Sequence, residues 1–176
     1  ISDVADARAV AQSFKIPYYV LNFSEDFDKE VIRRFVDTYI DGGTPNPCIE
    51  CNRYMKFEKL MHRMYELGYD YVVTGHYARV EKDEKTGRYL LKKGLDETKD
   101  QSYVLYNLTQ EQLSHTLFPL GNYRKSEIRE IADEMYFVNA HKPDSQDICF
   151  VPDGDYAAFI ERYCGKEFPH GEFVTE

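Results

Sequence analysis

The sequence predicts an α/β fold: a parallel sheet flanked by helices, with an inserted hairpin and a helical extension. Three observations carry this. Amphipathic helical patterns twice lead into short β-rich apolar runs, at 4–23 and again at 57–74. The second run stops abruptly at Gly75-His76-Tyr77, the form of a short buried strand that meets a ligand at its carboxyl end. Two apolar stretches then flank a charged turn, as in a β-hairpin.

Taken in order, Asp3 is placed to cap a helix over Val4 to Phe14, where Ala7, Val10, Ala11 and Phe14 recur at helical spacing and Lys15 closes the element. Pro17 to Phe23 has strand composition. Ser24 opens a helix with an apolar face of Phe27, Val31, Ile32, Phe35, Val36 and Tyr39, stopped by Gly42-Gly43. Pro45 and Pro47 predict a stiff, non-helical segment around Cys48 and Cys51. Phe57, Leu60, Met61, Met64 and Leu67 form the next helical face, and Gly68 ends it. Tyr69 to Thr74 reads as a strand. Tyr77–Val80 and Arg88–Lys92 read as a hairpin around 82–87. Helices follow from Thr109 through His115, from Ser126 to Met135 with Ile128, Ile131 and Ala132 inward, and from Asp155 through Tyr163. Glu172-Phe173-Val174 has strand character.

A chain of 176 residues with 43% hydrophobic content supports a real core. No apolar run reaches the roughly 18 residues of a membrane span, and no basic-then-apolar leader opens the chain, so a cytoplasmic, non-membrane protein is expected. The formal charge of −9 argues against an extended nucleic-acid footprint, although Lys56, Lys99, Arg53 and other cations leave room for a local basic patch. Four cysteines, at 48, 51, 149 and 164, are too sparse for a disulfide scaffold. The Cys48–Cys51 spacing admits metal binding, redox or thiol chemistry, or two incidental thiols; a tetrahedral zinc site lacks a second CxxC or HxxxH partner. Cys164, at a helix end, reads as structural. Gly75 either contacts a ligand or merely turns the chain, and Lys99-Asp100-Gln101-Ser102 either binds a polar ligand or begins a solvated helix. Neither a dinucleotide fingerprint nor a Walker loop is present.

Five blocks occur in one order: Thr44-Pro45-Asn46-Pro47-Cys48-Ile49-Glu50-Cys51-Asn52, Lys56-Phe57, Thr74-Gly75-His76-Tyr77, Lys99-Asp100-Gln101-Ser102-Tyr103 and Ser145-Gln146-Asp147-Ile148-Cys149-Phe150. Together they resemble the tRNA-specific 2-thiouridylase family, whose members form 2-thiouridine at the wobble position of tRNA. The resemblance implies a partial Rossmann-like, adenine nucleotide alpha hydrolase-like domain. It divides the chain into the C-terminal portion of a pyrophosphatase catalytic domain (1–104), a helical extension with the second cysteine (105–164) and the start of a central β domain (165–176). The family's Ser-Gly-Gly-Val-Asp-Ser loop is absent, so a fragment of the catalytic domain, inactive by itself, is expected.

By position, the resemblance makes Cys51 the nucleophile, Cys149 the persulfide carrier and Gly75 an ATP contact. Asn46, Pro47 and Cys48 fall beside the target base, and His76, Lys99, Asp100 and Gln101 at tRNA-contacting places. Some members carry Asp where this chain has Cys48. ATP with Mg would activate the uridine C2 oxygen, and a persulfide donor, a sulfur-relay protein or cysteine desulfurase, would load Cys149. Thiolate attack by Cys51 would leave a Cys51–Cys149 disulfide for an external thiol to reduce. An alternative uses Cys48, Cys51 and Cys149 as ligands of an iron–sulfur cluster. Another is a non-enzymatic zinc or redox module. The partners implied are tRNA and the sulfur donor, with no DNA and no membrane.

Overall fold

The computed structural model describes residues 2–137, 140–141, 148–169 and 171, without the side chains of Ser2 and Asp3. The chain separates into two compact units, Ile1–Lys142 and Pro143–Glu176. The α/β class is borne out in the first unit, where helices surround a parallel strand pair and an antiparallel hairpin.

Four helix ends in this unit follow one device. Gly42 and Gly68 take φ of 80° and 73°, and the next residue's N–H reaches back to close each helix, Gly43 to the Thr38 carbonyl at 2.8 Å and Tyr69 to that of Met64 at 3.0 Å. These are the two stops glycine predicts. Lys15 and Tyr136 occupy the same left-handed position with φ of 56° each, closing Ser2–Ser13 and Lys125–Glu134 without glycine.

The helix from Ser24 runs through Asp28–Ile32 with a π turn, seen in the Arg33 N–H bonding the Asp28 carbonyl, and on through Arg33–Ile40. Val31, Phe35 and Val36 are its buried face. Helix Ser2–Ser13 already includes Asp3 rather than being capped by it. The strand expected over 17–23 is not formed. Tyr19 and Val20 are 68% and 61% exposed, and among the described residues no strand pairs with this run; β-propensity without a ladder does not make a strand.

The run from Tyr69 does find a partner, but only over β1 (Val72–Val73), which pairs in parallel with β4 (Thr116–Leu117). The sequence gives no sign of that partner, because two residues between a helix and a proline-bearing turn carry no period. The hairpin is as expected: β2 (Ala78–Lys82) against β3 (Tyr89–Lys93), with Val80 opposite Leu91. The main core gathers Phe57, Met61, Met64, Val72, Ala78, Leu105 and Phe118 between these strands and the helix before them. Gly121 is required there, since a Cβ on it would lie 1.7 Å from the Ala78 carbonyl oxygen.

Helix Gln110–Ser114 begins with a capping box of Thr109 and Gln112, and Gln112 Nε2 donates to the Phe57 carbonyl at 2.6 Å. Lys125–Glu134 buries no residue, and Ile131, expected to face inward, is 43% exposed. In the second unit, helix Tyr156–Cys164 is capped by the Asp155 carboxylate accepting from the Ala158 N–H. Val151 and Ile160 are buried, and Phe150 packs on Phe159 at 5.3 Å. The strand expected at 172–174 lies outside the described residues.

Candidate active site

The cysteine segment departs from expectation in an instructive way. Asn46 is extended, with φ −112° and ψ 95°, and its side chain accepts the Cys48 N–H at 3.1 Å; Pro47 is the first helical residue. Both cysteines are therefore on a helix, not on a non-helical segment. The restriction that Pro47 imposes falls on Asn46, and an extended residue with a short polar side chain is what a helix cap needs. Cys48 is exposed on the first turn. Cys51, partly buried, begins the stretch Cys51–Lys59, where π hydrogen bonding brings the Leu60 N–H to the Met55 carbonyl.

Asn52 follows Cys51 and is 3% exposed. Its Nδ2 donates to the Cys48 carbonyl at 2.9 Å. The thiol-bearing turn is thus tied at its start by the Asn46 amide and at its end by the Asn52 amide. Asn52 Oδ1 and Glu50 Oε2 are buried and find no hydrogen-bond partner among the described residues. A cavity of about 350 Å³ opens beside this turn, lined by Arg34, Asp37, Pro45, Asn46, Glu50 and Tyr106 among others.

One turn beyond Asn52, the Lys56 Nζ stands 3.4 Å from His76 Nε2. His76 is 6% exposed and lies against Phe57 and Phe118, at 6.2 and 5.8 Å between ring centroids. Its Nδ1 is 2.7 Å from Thr74 Oγ1. Burial, helped by the Lys56 charge, pushes the imidazole down to about 4, so the ring is neutral at neutral pH. Lys56 has protons to give, so the neutral ring accepts at Nε2 and donates from Nδ1 to Thr74. Gly75, between these two residues in sequence, is exposed, and a Cβ there would meet only Leu120 at an ordinary 3.6 Å. The fold itself does not demand glycine at 75, and the strand end stands open for close approach by a ligand.

The Lys99–Gln101 block joins the same neighbourhood. Lys99 is exposed. Asp100 instead folds inward, its Oδ1 accepting from the Gly94 N–H at 2.8 Å and its Oδ2 from the Ser102 hydroxyl at 2.7 Å. Gln101 grips Tyr77 through side chain and backbone, at 3.1 and 2.9 Å. The first unit therefore connects Asn46, Cys48, Cys51, Gly75, His76 and Gln101 through adjoining residues. Cys149 belongs to the second unit and is exposed, while 145–147 of its block lie outside the described residues. Within neither unit do three His, Cys, Asp or Glu side chains among the described residues gather as a metal site. What sequence reading missed are the Asn52 clamp and the Lys56–His76–Thr74 network. The available signal was the four-residue spacing of Cys48, Asn52 and Lys56, which places them along one side of a helix.

Residues 1–153 match the model of the family described as the tRNA methyl transferase HUP domain. The chain belongs to this family. Within it, the chain is 55% identical over 174 residues to the tRNA-specific 2-thiouridylase MnmA of Clostridioides difficile (strain 630), covering 99% of this chain and 48% of that protein. It is 56% identical over 173 residues to the tRNA-specific 2-thiouridylase MnmA 1 of Thermoanaerobacter pseudethanolicus, covering 98% and 48%. The corresponding protein of Acetivibrio thermocellus is 53% identical over 174 residues, covering 99% and 48%. The chain spans about half the length of the curated relatives it matches. The resemblance read from the five sequence blocks is borne out by these likenesses. No helix among the described residues is long and apolar enough to cross a membrane.

Proposed function

We propose that this chain supplies the thiol-bearing part of a cytoplasmic, ATP-dependent tRNA sulfurtransferase that forms 2-thiouridine at the wobble position. The observation carrying the reading is the clamped turn, in which Asn46 and Asn52 hold the backbone around Cys51 on the same helix that reaches the open strand end at Gly75. A thiol attacking a defined sulfur gains from such fixation, because reaction requires approach along one line. ATP, when bound at the strand end with Mg, supplies activation of the uridine C2 oxygen as a leaving group.

In this reading Cys149 takes the outer sulfur of a persulfide from a sulfur-relay or desulfurase protein, which leaves as a thiol; this terminal sulfur then bonds to C2 of the base as the C2–O bond breaks and the activated oxygen departs with AMP. The Cys51 thiolate then attacks Cys149 Sγ; the Sγ–S bond breaks, its electron pair stays with the sulfur on the base, and a Cys51–Cys149 disulfide results. An external thiol returns two electrons. Asn46, Pro47 and Cys48 flank the base, which must be splayed out of its stack to be reached. Exposed Lys99 meets tRNA phosphate directly, whereas Asp100, Gln101 and buried His76 shape the contacting surface from beneath. Residues 1–104, 105–164 and 165–176 are assigned to the catalytic domain, its helical extension and the start of a β domain.

The test uses the protein at the length of its relatives, with ATP, a tRNA transcript and a persulfide donor, and quantifies 2-thiouridine by mass spectrometry. Cys51→Ser and Cys149→Ser should each bring product to background with tRNA affinity kept, and Cys164→Ser should leave it unchanged. Substantial product from either of the first two would sink the two-cysteine route. Cys48→Asp should remain active; stoichiometric iron in the anaerobic parent, lost together with activity in this variant, would instead establish the cluster alternative.

A further inference from the structure

We propose that Lys56 is a pre-positioned phosphate-binding cation at the carboxyl end of β1, taking a phosphate oxygen from the nucleotide or from the tRNA backbone. The inference rests on the function proposed above. Its ground is a contrast among cations. Lys59 on the same helix pairs with Asp26 at 2.9 Å, Arg63 with Glu66, and Arg34 with Glu30 at 2.8 Å. Lys56, partly buried, has no carboxylate partner among the described residues; what it meets is the neutral ring of His76. An ammonium offers three donors, and a neutral imidazole takes one. Two donors remain on a charge held against His76, the residue that follows exposed Gly75.

A packing role does not account for this arrangement. A half-buried ammonium without a carboxylate partner among the described residues is costly, and an apolar side chain at 56 would avoid that cost. Lysine beside a phosphate, by contrast, is a compact point charge whose desolvation is offset by the anion. His76 is suited to hold it. Thr74 fixes the ring through Nδ1, which leaves Nε2 as an acceptor aimed at Nζ and restricts the freedom of a long side chain. His76 also cannot be the cation itself, because its site keeps it neutral. The place is where open α/β sheets receive ligands, outside the carboxyl ends of their strands.

The experiment uses the protein at the length of its relatives and two probes, ATP and a tRNA transcript with an unmodified wobble uridine. Lys56→Met should weaken the binding of one probe about tenfold or more, as expected for removing one charge-assisted hydrogen bond. A loss confined to ATP assigns the phosphate to the nucleotide. A loss confined to tRNA, with the slope of log affinity against log salt reduced by about one, assigns it to the tRNA backbone. Both affinities unchanged would overturn the inference while leaving the sulfurtransferase reading intact; a parent protein that binds neither probe would overturn both. Because Lys56→Met could disturb folding, the unaltered protein is also acylated with an N-hydroxysuccinimide ester, and modification of Lys56 is followed by peptide mass spectrometry. ATP or tRNA should slow its modification severalfold relative to exposed Lys85; equal rates with and without both probes would refute the assignment.

Discussion

Two apolar runs of near-equal β-propensity, 17–23 and 69–74, end in opposite states. The first passes along the surface, with Tyr19 and Val20 exposed and no partner strand among the described residues. The second is caught at Val72, 4% exposed, where the His115 carbonyl accepts the Val72 N–H at 2.9 Å and the Leu117 carbonyl the Thr74 N–H at 3.2 Å. Only the second ends in a candidate site. The difference lies in neighbours rather than in composition: Leu113, Phe118 and the Met61–Met64 face give Val72 something to bury against, and β4 supplies the hydrogen bonds that a lone strand leaves unmade.

The contrast is broken most severely at Gly121. Placing a methyl group 1.7 Å from the Ala78 oxygen forces the backbone apart beneath the strand end. Gly121→Ala should cost about 3 kcal/mol or more, read as a lower urea midpoint, while adding a Cβ at Gly75 should leave stability nearly unaltered.

Nearly as large is an effect of pH that belongs to the second run alone. His76 protonates at about 4 in the native state and near 6.5 when unfolded, so between these values the unfolded chain binds the extra proton. This contribution to stability is complete above pH 6.5 and is lost as pH falls toward 4, amounting to about 3 kcal/mol. Urea titrations across that window should show the slope in the parent and its loss in His76→Gln. An unchanged slope would mean another group is responsible.

A matched pair of truncations sharpens the comparison directly. Val72→Ala should destabilise by about 1–3 kcal/mol through its lost burial, whereas Val20→Ala should fall within about 0.5 kcal/mol of the parent. Similar costs at both positions would show that 17–23 is packed in solution. The smallest change expected is that of Ile131→Ser, within about 0.5 kcal/mol for so exposed a position, despite its place on a helical apolar stripe.

Local rules written into single residues could be read directly. The stops at Gly42 and Gly68, the helix starts at Thr109 and Asp155 and the hairpin around its charged turn each depend on a few adjacent residues, and the sequence by itself determined them. The order of Cys51, Gly75, His76 and Lys99–Gln101 was likewise enough to nominate a site. Tertiary structure alone decided which apolar run became a strand, because a ladder needs a partner from far along the chain, here Thr116–Leu117. It also decided that His76 is buried and neutral, that Asp100 and Gln101 turn inward, and that Lys56 meets an imidazole instead of a carboxylate. Charge state and accessibility depend on what surrounds a group in space, and a sequence position carries that surrounding only after the chain has folded.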